Sequence, residues 1–522
     1  AVGRLIVWPR HLVAGGAVAT AVLLLVAGLL LVRRSPASGS AMVADASTNK
    51  PVSAAGSPRL PANPSTPPSV APTAPCKPDA EAPSISRPAA AKPPGPTATK
   101  LELGTYVALE NWVSVLLARA GEEYPWVVLQ PDARVEADQE LVSLPGYQSL
   151  LTLDGGVNLT LWGSLPELSA GDPVFESVVL LHEPADGRHL DFTLDRGRVH
   201  LAAQPKDGRP ARVRLRFLGE VWDLEFKEPA SEVVIQLYGL PFRSDSGQSA
   251  PRAYLDLFVK GGLRVQAGQQ HLDLTDRSRV HWEEQSANGP RATPLQALPP
   301  WWTTPPDKTA PAVIKTRGSL LEWSRRLGGA APRADPSSQD KTAPAEVVTT
   351  IVNDVADGED PDNQDVGVLF LAALDQVEPI VDQLQDRRVQ NAHVRGAAVC
   401  ALQNWLARNP RHAEGLVRLL EKRMGSRDVA EQIVALLHFY SKDACRRRAT
   451  YEGLIAGLAH ENPLVRNLAF LQLDRLGASG WLPTEAADIK YDPEDSPSKR
   501  QEAIRRWRDL LARGRLPKLG TR

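Results

Sequence analysis

The hydrophobic positions change their period twice along this chain. Residues 12–32 are apolar without interruption and carry no charged or strongly polar side chain. At 1.5 Å per residue that run spans roughly 31 Å, enough to cross a hydrocarbon core, and it predicts a transmembrane helix. From 101 to 285 the apolar residues fall in short runs, many of them alternating: Val213, Leu215 and Phe217 interleave with Arg212, Arg214 and Arg216. Alternation of this kind predicts strands with one buried face. Further strands are expected at Val127–Leu129, Leu150–Leu153, Val157–Trp162, Val178–Leu181, Leu190–Leu194 and Val199–Ala202. Others are expected at Val221–Phe226, Val233–Tyr238, Leu255–Val259 and Leu263–Val265. Turn signals at Asp154-Gly155-Gly156, Asp186-Gly187, Asp207-Gly208 and Gly261-Gly262 separate them. With no helical period between the strands, the segment predicts an all-β domain built as a sandwich, roll or solenoid.

Beyond residue 365 the period becomes helical. Phe370, Leu374, Val377, Val381 and Leu384 share one face. Val394, Ala398, Leu402 and Trp405 return 35 residues later as Val429, Ile433, Leu437 and Tyr440. They return again, displaced by 36, as Val465, Ala469, Leu473 and Leu476. Partner helices are expected near Ala413–Met424 and Cys445–Ala459, so the spacing predicts a two-helix repeat stacked at least three times. This is an all-α solenoid over 365–515. A closing helix starts at Ser496-Pro497, with Ile504, Trp507, Leu510 and Leu511 as its apolar stripe. Arg500, Arg505, Arg506, Arg508, Arg513 and Arg515 make its other faces basic.

Composition marks the connectors. Residues 33–100 are rich in Pro, Ala and Ser, and no aromatic occurs between Trp8 and Tyr106. Such a segment cannot bury enough apolar surface to offset chain entropy, so it is expected to be a stalk. Fully extended it would reach on the order of 200 Å. Residues 286–364 form a second linker, Pro-rich and then acidic, interrupted by one expected short helix, Ser319–Leu327. Trp301-Trp302, flanked by proline pairs, reads either as a strap laid on the β domain or as a partner-binding anchor. Ten carboxylates and no Lys or Arg lie between Asp354 and Asp386. Asp360-Pro-Asp362-Asn-Gln-Asp365 lacks the sixth-position Gly and twelfth-position Glu of a calcium loop, and reads as a helix cap.

Lys+Arg 60 against Asp+Glu 61 gives a net charge of -1, which excludes a whole-chain basic footprint for nucleic acid. Three cysteines exclude a disulfide-built scaffold and a four-cysteine zinc site. Cys76 lies in the stalk; Cys400 and Cys445 lie in neighbouring repeats, as buried thiols or as a disulfide. No GxSxG, GxxxxGK[ST], HExxH, CxxC or strand-anchored GxGxxG motif appears. His182-Glu183, His189 with Asp191, and His281 with Glu283 place imidazole near carboxylate. Without a nucleophile or second carboxylate at a recognisable spacing, no catalytic, cofactor-binding or metal-ligating residue is assigned, and no cofactor is expected.

The order Trp126-Val-Val-Leu, Leu141, Leu150–Leu153 and Gly155-Gly156-Val157-Asn-Leu, then Leu194-Asp-Arg-Gly197-Arg-Val199, resembles the FecR-like domain. Gly219-Glu-Val-Trp222-Asp-Leu and Val259-Lys-Gly-Gly-Leu-Arg-Val265 complete the match, which covers most of 101–285. Asn462-Pro463-Leu464-Val465-Arg466-Asn-Leu-Ala469 resembles the HEAT-repeat signature. These resemblances imply a single-pass protein of the inner membrane, with a non-enzymatic β domain on the extracytoplasmic (periplasmic) side. The resulting expectation is a membrane-anchored interaction or signalling protein, with a protein partner on the helical repeats and possibly on the β domain. The alternatives are an envelope glycan or polymer ligand and, below that, a carboxylate–His hydrolase centred on His189 and Asp191. No nucleic-acid partner is expected.

Overall fold

The computed structural model describes residues 101–517 apart from 110–111, 169–173, 205–207, 245–248, 287, 329–346 and 386–391. The chain first lays down strands β1 (Glu102–Val107), β2 (Leu116–Arg119), β3 (Val127–Leu129), β4 (Arg134–Glu136), β5 (Glu140–Ser143) and β6 (Gln148–Leu153). Next come β7 (Val157–Trp162), β8 (Ser177–His182), β9 (Leu190–Ala203), β10 (Arg212–Phe217), β11 (Glu220–Phe226) and β12 (Glu232–Leu240). The series ends with β13 (Arg252–Lys260), β14 (Leu263–Ala267), β15 (Gln270–Leu274), β16 (Ser278–Glu283) and β17 (Arg291–Pro294).

One strand belongs to two sheets. The first sheet runs β4–β1–β6–β7–β9–β12–β13–β16–β17. The second runs β3–β2–β5–β8–β9–β10–β11–β14–β15. The beginning of β9 pairs with β8 and β10 in the second sheet, and its end pairs with β7 and β12 in the first. The crossing is a bulge: the register slips between Val178 and Val179, opposite Arg196 and Leu194. Such an extra residue bends a strand and turns its faces. The separate strands expected at Leu190–Leu194 and Val199–Ala202 are therefore one bent strand. Gly197 itself has φ +105°, and a Cβ there would fall 2.2 Å from the Glu176 carbonyl oxygen.

The inner faces of both sheets meet in one core. Val213, Leu215 and Phe217 are buried there, as their alternation with arginine requires. Phe217 packs edge-on against Trp222 and Trp282, each with ring centroids 5.1 Å away.

The helices are α1 (Pro300–Thr303), α2 (Pro311–Arg326), α3 (Val347–Asp357), α4 (Pro361–Ala373), α5 (Val377–Gln385) and α6 (Ala392–Leu406). α7 (Arg411–Met424), α8 (Arg427–Leu437), α9 (Lys442–Cys445), α10 (Arg448–Leu458), α11 (Pro463–Ala478) and α12 (Pro497–Ala512) follow. Val394, Ala398 and Leu402 on α6, Ile433 and Leu437 on α8, and Val465, Ala469 and Leu473 on α11 are buried at the repeating positions. Glutamines tie successive layers: the Gln403 amide donates to Leu437 O at 2.9 Å, and the Gln472 amide to His438 O at 3.0 Å. Asp360 caps α4, its carboxylate accepting the backbone N–H of Asp362 at 3.0 Å.

Two expectations are corrected. An all-β domain joined to an all-α solenoid does not describe this fold. The strand system is mixed, because β9 and β10 pair in parallel while the other strand pairs are antiparallel. The parallel pair follows from the crossing: the chain leaves β9 in the first sheet and re-enters the second at Arg212, running in the direction of Leu190–Thr193. Helices and strands also share a hydrophobic core. Val115, Leu117, Val142, Tyr147 and Val178 are buried in the same cluster as Leu320, Trp323, Val366 and Phe370. The Tyr147 hydroxyl donates to Leu320 O at 2.7 Å, and the Trp323 indole donates to Asn363 O at 2.9 Å. The described residues lie in one unit.

The second correction concerns the membrane. Among the described residues no helix is long and apolar enough to cross a bilayer. The longest, α2, α11 and α12, have 16 residues and reach about 24 Å, short of a hydrocarbon core of about 30 Å. Within the described residues, the expected single-pass inner-membrane protein with its bulk in the periplasm finds no spanning helix. The span read at 12–32, the stalk and Cys76 lie outside the described residues.

Candidate functional site

The strap carrying Trp301 and Trp302 crosses the outer face of the first sheet. Proline at 299, 300, 305 and 306 restricts the backbone on both sides of α1, so the two indoles are presented by a stiff turn. Trp301 meets Trp162 of β7 edge-on at 5.9 Å and Phe258 of β13 at 5.6 Å. Arg198 of β9, which has no exposed surface, stacks its guanidinium 3.9 Å from the Trp301 ring and 5.4 Å from Trp162. Trp302 reaches His200 at 5.9 Å. Trp301 and Trp302 remain half-buried. Trp301 is thus laid on the β domain, as the strap reading expects, and both indoles keep part of their surface exposed.

Between the strap and the sheet lies a cleft of about 160 Å³. Trp162 and Gln148 form its floor as directly paired residues of β7 and β6. The turn after β7 closes one side with Gly163, Ser164 and Leu168. Glycine is required at 163 because a Cβ would fall 2.1 Å from Leu144 O. Trp112 stands opposite, with the Arg317 guanidinium 5.7 Å from its ring, while Trp301, Trp302, Pro305 and Pro306 form the remaining wall.

One residue lining this cleft carries a buried polar atom without a partner among the described residues. Gln148 is 6% exposed, and its side-chain Nε2 is buried with no hydrogen-bond partner among the described residues. Leaving a buried donor unsatisfied costs about 1–3 kcal/mol. The described lining residues bring four indole N–H groups and this amide, and no carboxylate. The cleft therefore offers aromatic faces and hydrogen-bond donors.

The imidazole–carboxylate pairs are engaged elsewhere. His189 Nδ1 accepts the backbone N–H of Arg212 at 3.0 Å. Asp191 is buried and gripped through both oxygens by Arg216, at 2.7 and 2.8 Å. His182 Nε2 lies 2.8 Å from the Thr193 hydroxyl. His281 turns to Asp256 (2.8 Å) rather than Glu283, and Asp256 also takes Arg279 at 2.9 Å. Asp191 is thus held by Arg216 while His189 turns to the Arg212 backbone, and Asp256 is shared between Arg279 and His281. Cys445 is a buried free thiol, and among the described residues no cluster of His, Cys, Asp and Glu has the geometry of a metal site.

A second charged cluster serves the fold. Glu176, 3% exposed at its side chain, receives Arg408 at 2.6 Å, Arg196 at 2.8 Å and the Asn404 amide at 3.1 Å. Arg196 and Arg408 also donate to the end of α4, at Ala373 O and Ala372 O. Burial alone would raise the Glu176 carboxyl, but Arg408 and Arg196 outweigh it and hold the group below the usual carboxylate range.

The sequence pointed to Trp301 and Trp302 but missed Gln148, Trp112 and Trp162 as their companions. Gln148 sits in the run Gln148-Ser-Leu-Leu-Thr-Leu, where alternation is weak, and the pairing with Trp162 exists only in the folded hairpin. Comparison with family models, with curated proteins and with solved structures finds no match to this chain, so no known neighbour supports the FecR-like or HEAT-like resemblance.

Proposed function

We propose that this chain is a non-catalytic binding protein whose ligand site is the aromatic cleft between β6, β7 and the Trp301–Trp302 turn. The observation that carries the reading is Gln148, a buried donor without a partner on an aromatic floor. It is one of several buried side-chain polar atoms without a partner among the described residues, and the one that belongs to the lining of this cleft. A ligand acceptor that meets Nε2 as the Gln148 side chain turns toward the cleft removes the penalty on binding. The helices from α6 to α11 act as the rigid scaffold that holds this face, through the core they share with the strands.

The test compares the full chain with Gln148→Leu on arrays of short peptides and of oligosaccharides. Leucine keeps the bulk and removes the orphan donor, so the variant is expected to melt at the same temperature or higher while losing the array signals. Signals that persist unchanged in a folded Gln148→Leu chain would overturn the reading.

A further inference from the structure

We infer that the cleft takes a proline-containing segment of a partner protein in the polyproline II conformation. The inference rests on the reading of the cleft as a binding site and adds the chemical class of its ligand. Size comes first. A cavity near 160 Å³ accommodates roughly one benzene-sized ring, since an engineered cavity of about 150 Å³ binds benzene. Cofactor and drug-sized ligands occupy about 300–1,000 Å³. The occupant is therefore a single small ring presented by something larger, and not a nucleotide or a flavin.

Polarity narrows the choice. The described lining residues contribute donors from Gln148 and the indoles, the flanking cations Arg198 and Arg317 stand behind those indoles, and no carboxylate lines the cleft. The complementary ligand carries acceptors and needs few in return. An X–Pro peptide meets this description: its proline lacks an N–H, its carbonyls are exposed acceptors, and its pyrrolidine ring is apolar. A pyranose ring would fill the same volume, but its hydroxyls each donate as well as accept. For them the described lining side chains offer only the Gln148 amide oxygen and the Ser164 hydroxyl as acceptors.

Entropy favours the same ligand. A polyproline II segment is already extended and has no internal hydrogen bonds, so it loses little freedom on docking against aromatic walls. The walls are equally prepared, because Trp301 is fixed between Trp162, Phe258 and Arg198, and Pro305 and Pro306 stiffen the strap.

Isothermal titration of the full chain with decaproline, with a proline-free peptide of equal length and with cellohexaose tests the inference. Saturable binding of decaproline alone is expected, weakened at least tenfold in Gln148→Leu and in Trp302→Ala at unchanged folding. Should Trp302→Ala fold poorly, Gln148→Leu decides, since it removes a donor without opening a cavity. No heat with decaproline, together with Gln148-dependent binding of cellohexaose or the proline-free peptide, would sink the proline assignment and leave the cleft as a site. Binding of none of the three, with no Gln148-dependent array signal, would overturn both. Decaproline binding equal in wild type and both variants would place the contact elsewhere and overturn the inference.

Discussion

Glu176 shows how much one side chain carries when two cations depend on it. Glu176→Gln keeps the shape and leaves Arg196 and Arg408 with only the more exposed Asp195 and Asp375 as counter-charges. Breaking a buried pair from one side costs about 3–5 kcal/mol, so the chemical-denaturation midpoint at neutral pH should fall accordingly. The pH dependence has a definite sign. The folded pKa of Glu176 lies below its unfolded value of about 4.3. Its stabilisation is therefore present above that value and is lost as pH falls through the folded one. Arg214 with Arg188 brings Asp223 down to about 2, and His200 with Lys260 brings Glu232 down to about 2, so the acid loss continues across that window. Denaturation midpoints measured from pH 7 to pH 2 should converge for wild type and Glu176→Gln; a gap that stays constant would show that Glu176 is not the titrating group.

Among the elements, β9 governs the strand system. Its bend places Leu190, Phe192 and Leu194 in one sheet and Val199 and Leu201 in the other, all of them buried. Gly197 permits it. An alanine there meets both a left-handed φ and a backbone oxygen, and strained backbone alone costs about 1–3 kcal/mol. Gly197→Ala should lower the melting temperature more than Gly187→Ala, which has a positive φ and open space around it. Equal losses from the two would mean that the contact with Glu176 is not limiting. At this scale the sequence was partly legible. The Val213–Leu215–Phe217 alternation and the 35- and 36-residue recurrences appear as β10, α6, α8 and α11 because each is set by a local period. Strands β1, β2, β4, β5, β15, β16 and β17 were not among those expected; in β2, Leu116 and Leu117 are both buried because both of its faces are covered, which erases the alternation. Parallel pairing of β9 with β10 leaves no trace in alternation, since the period of a strand says nothing about the direction of its neighbour. Gln148 escaped for a related reason, because a polar residue in a strand looks the same whether it faces water or a cleft.

For the whole molecule, the shared core predicts a single cooperative transition. Near-ultraviolet signals from Trp222 and Trp282 in the sandwich and from Trp323 and Trp507 in the helices should change together with the far-ultraviolet signal. Two separated transitions would mean that the apolar contact across Tyr147, Leu320 and Phe370 contributes little. The same reasoning applies to a fragment containing only residues 101–285. It would expose Leu117, Val142, Tyr147 and Val178 to water and should aggregate where the full chain does not.

That seam also bears on how such a chain is inherited. A β-sandwich that finishes its own core can be spliced beside new neighbours as a cassette, whereas here the outer face of β2 and β5 is complete only when α2 and α4 arrive. Recombination that exchanged the helices would have to bring matching partners for Tyr147 and Val178 in the same event. The halves are therefore bound to change together, one substitution on the strands answered by another on the helices.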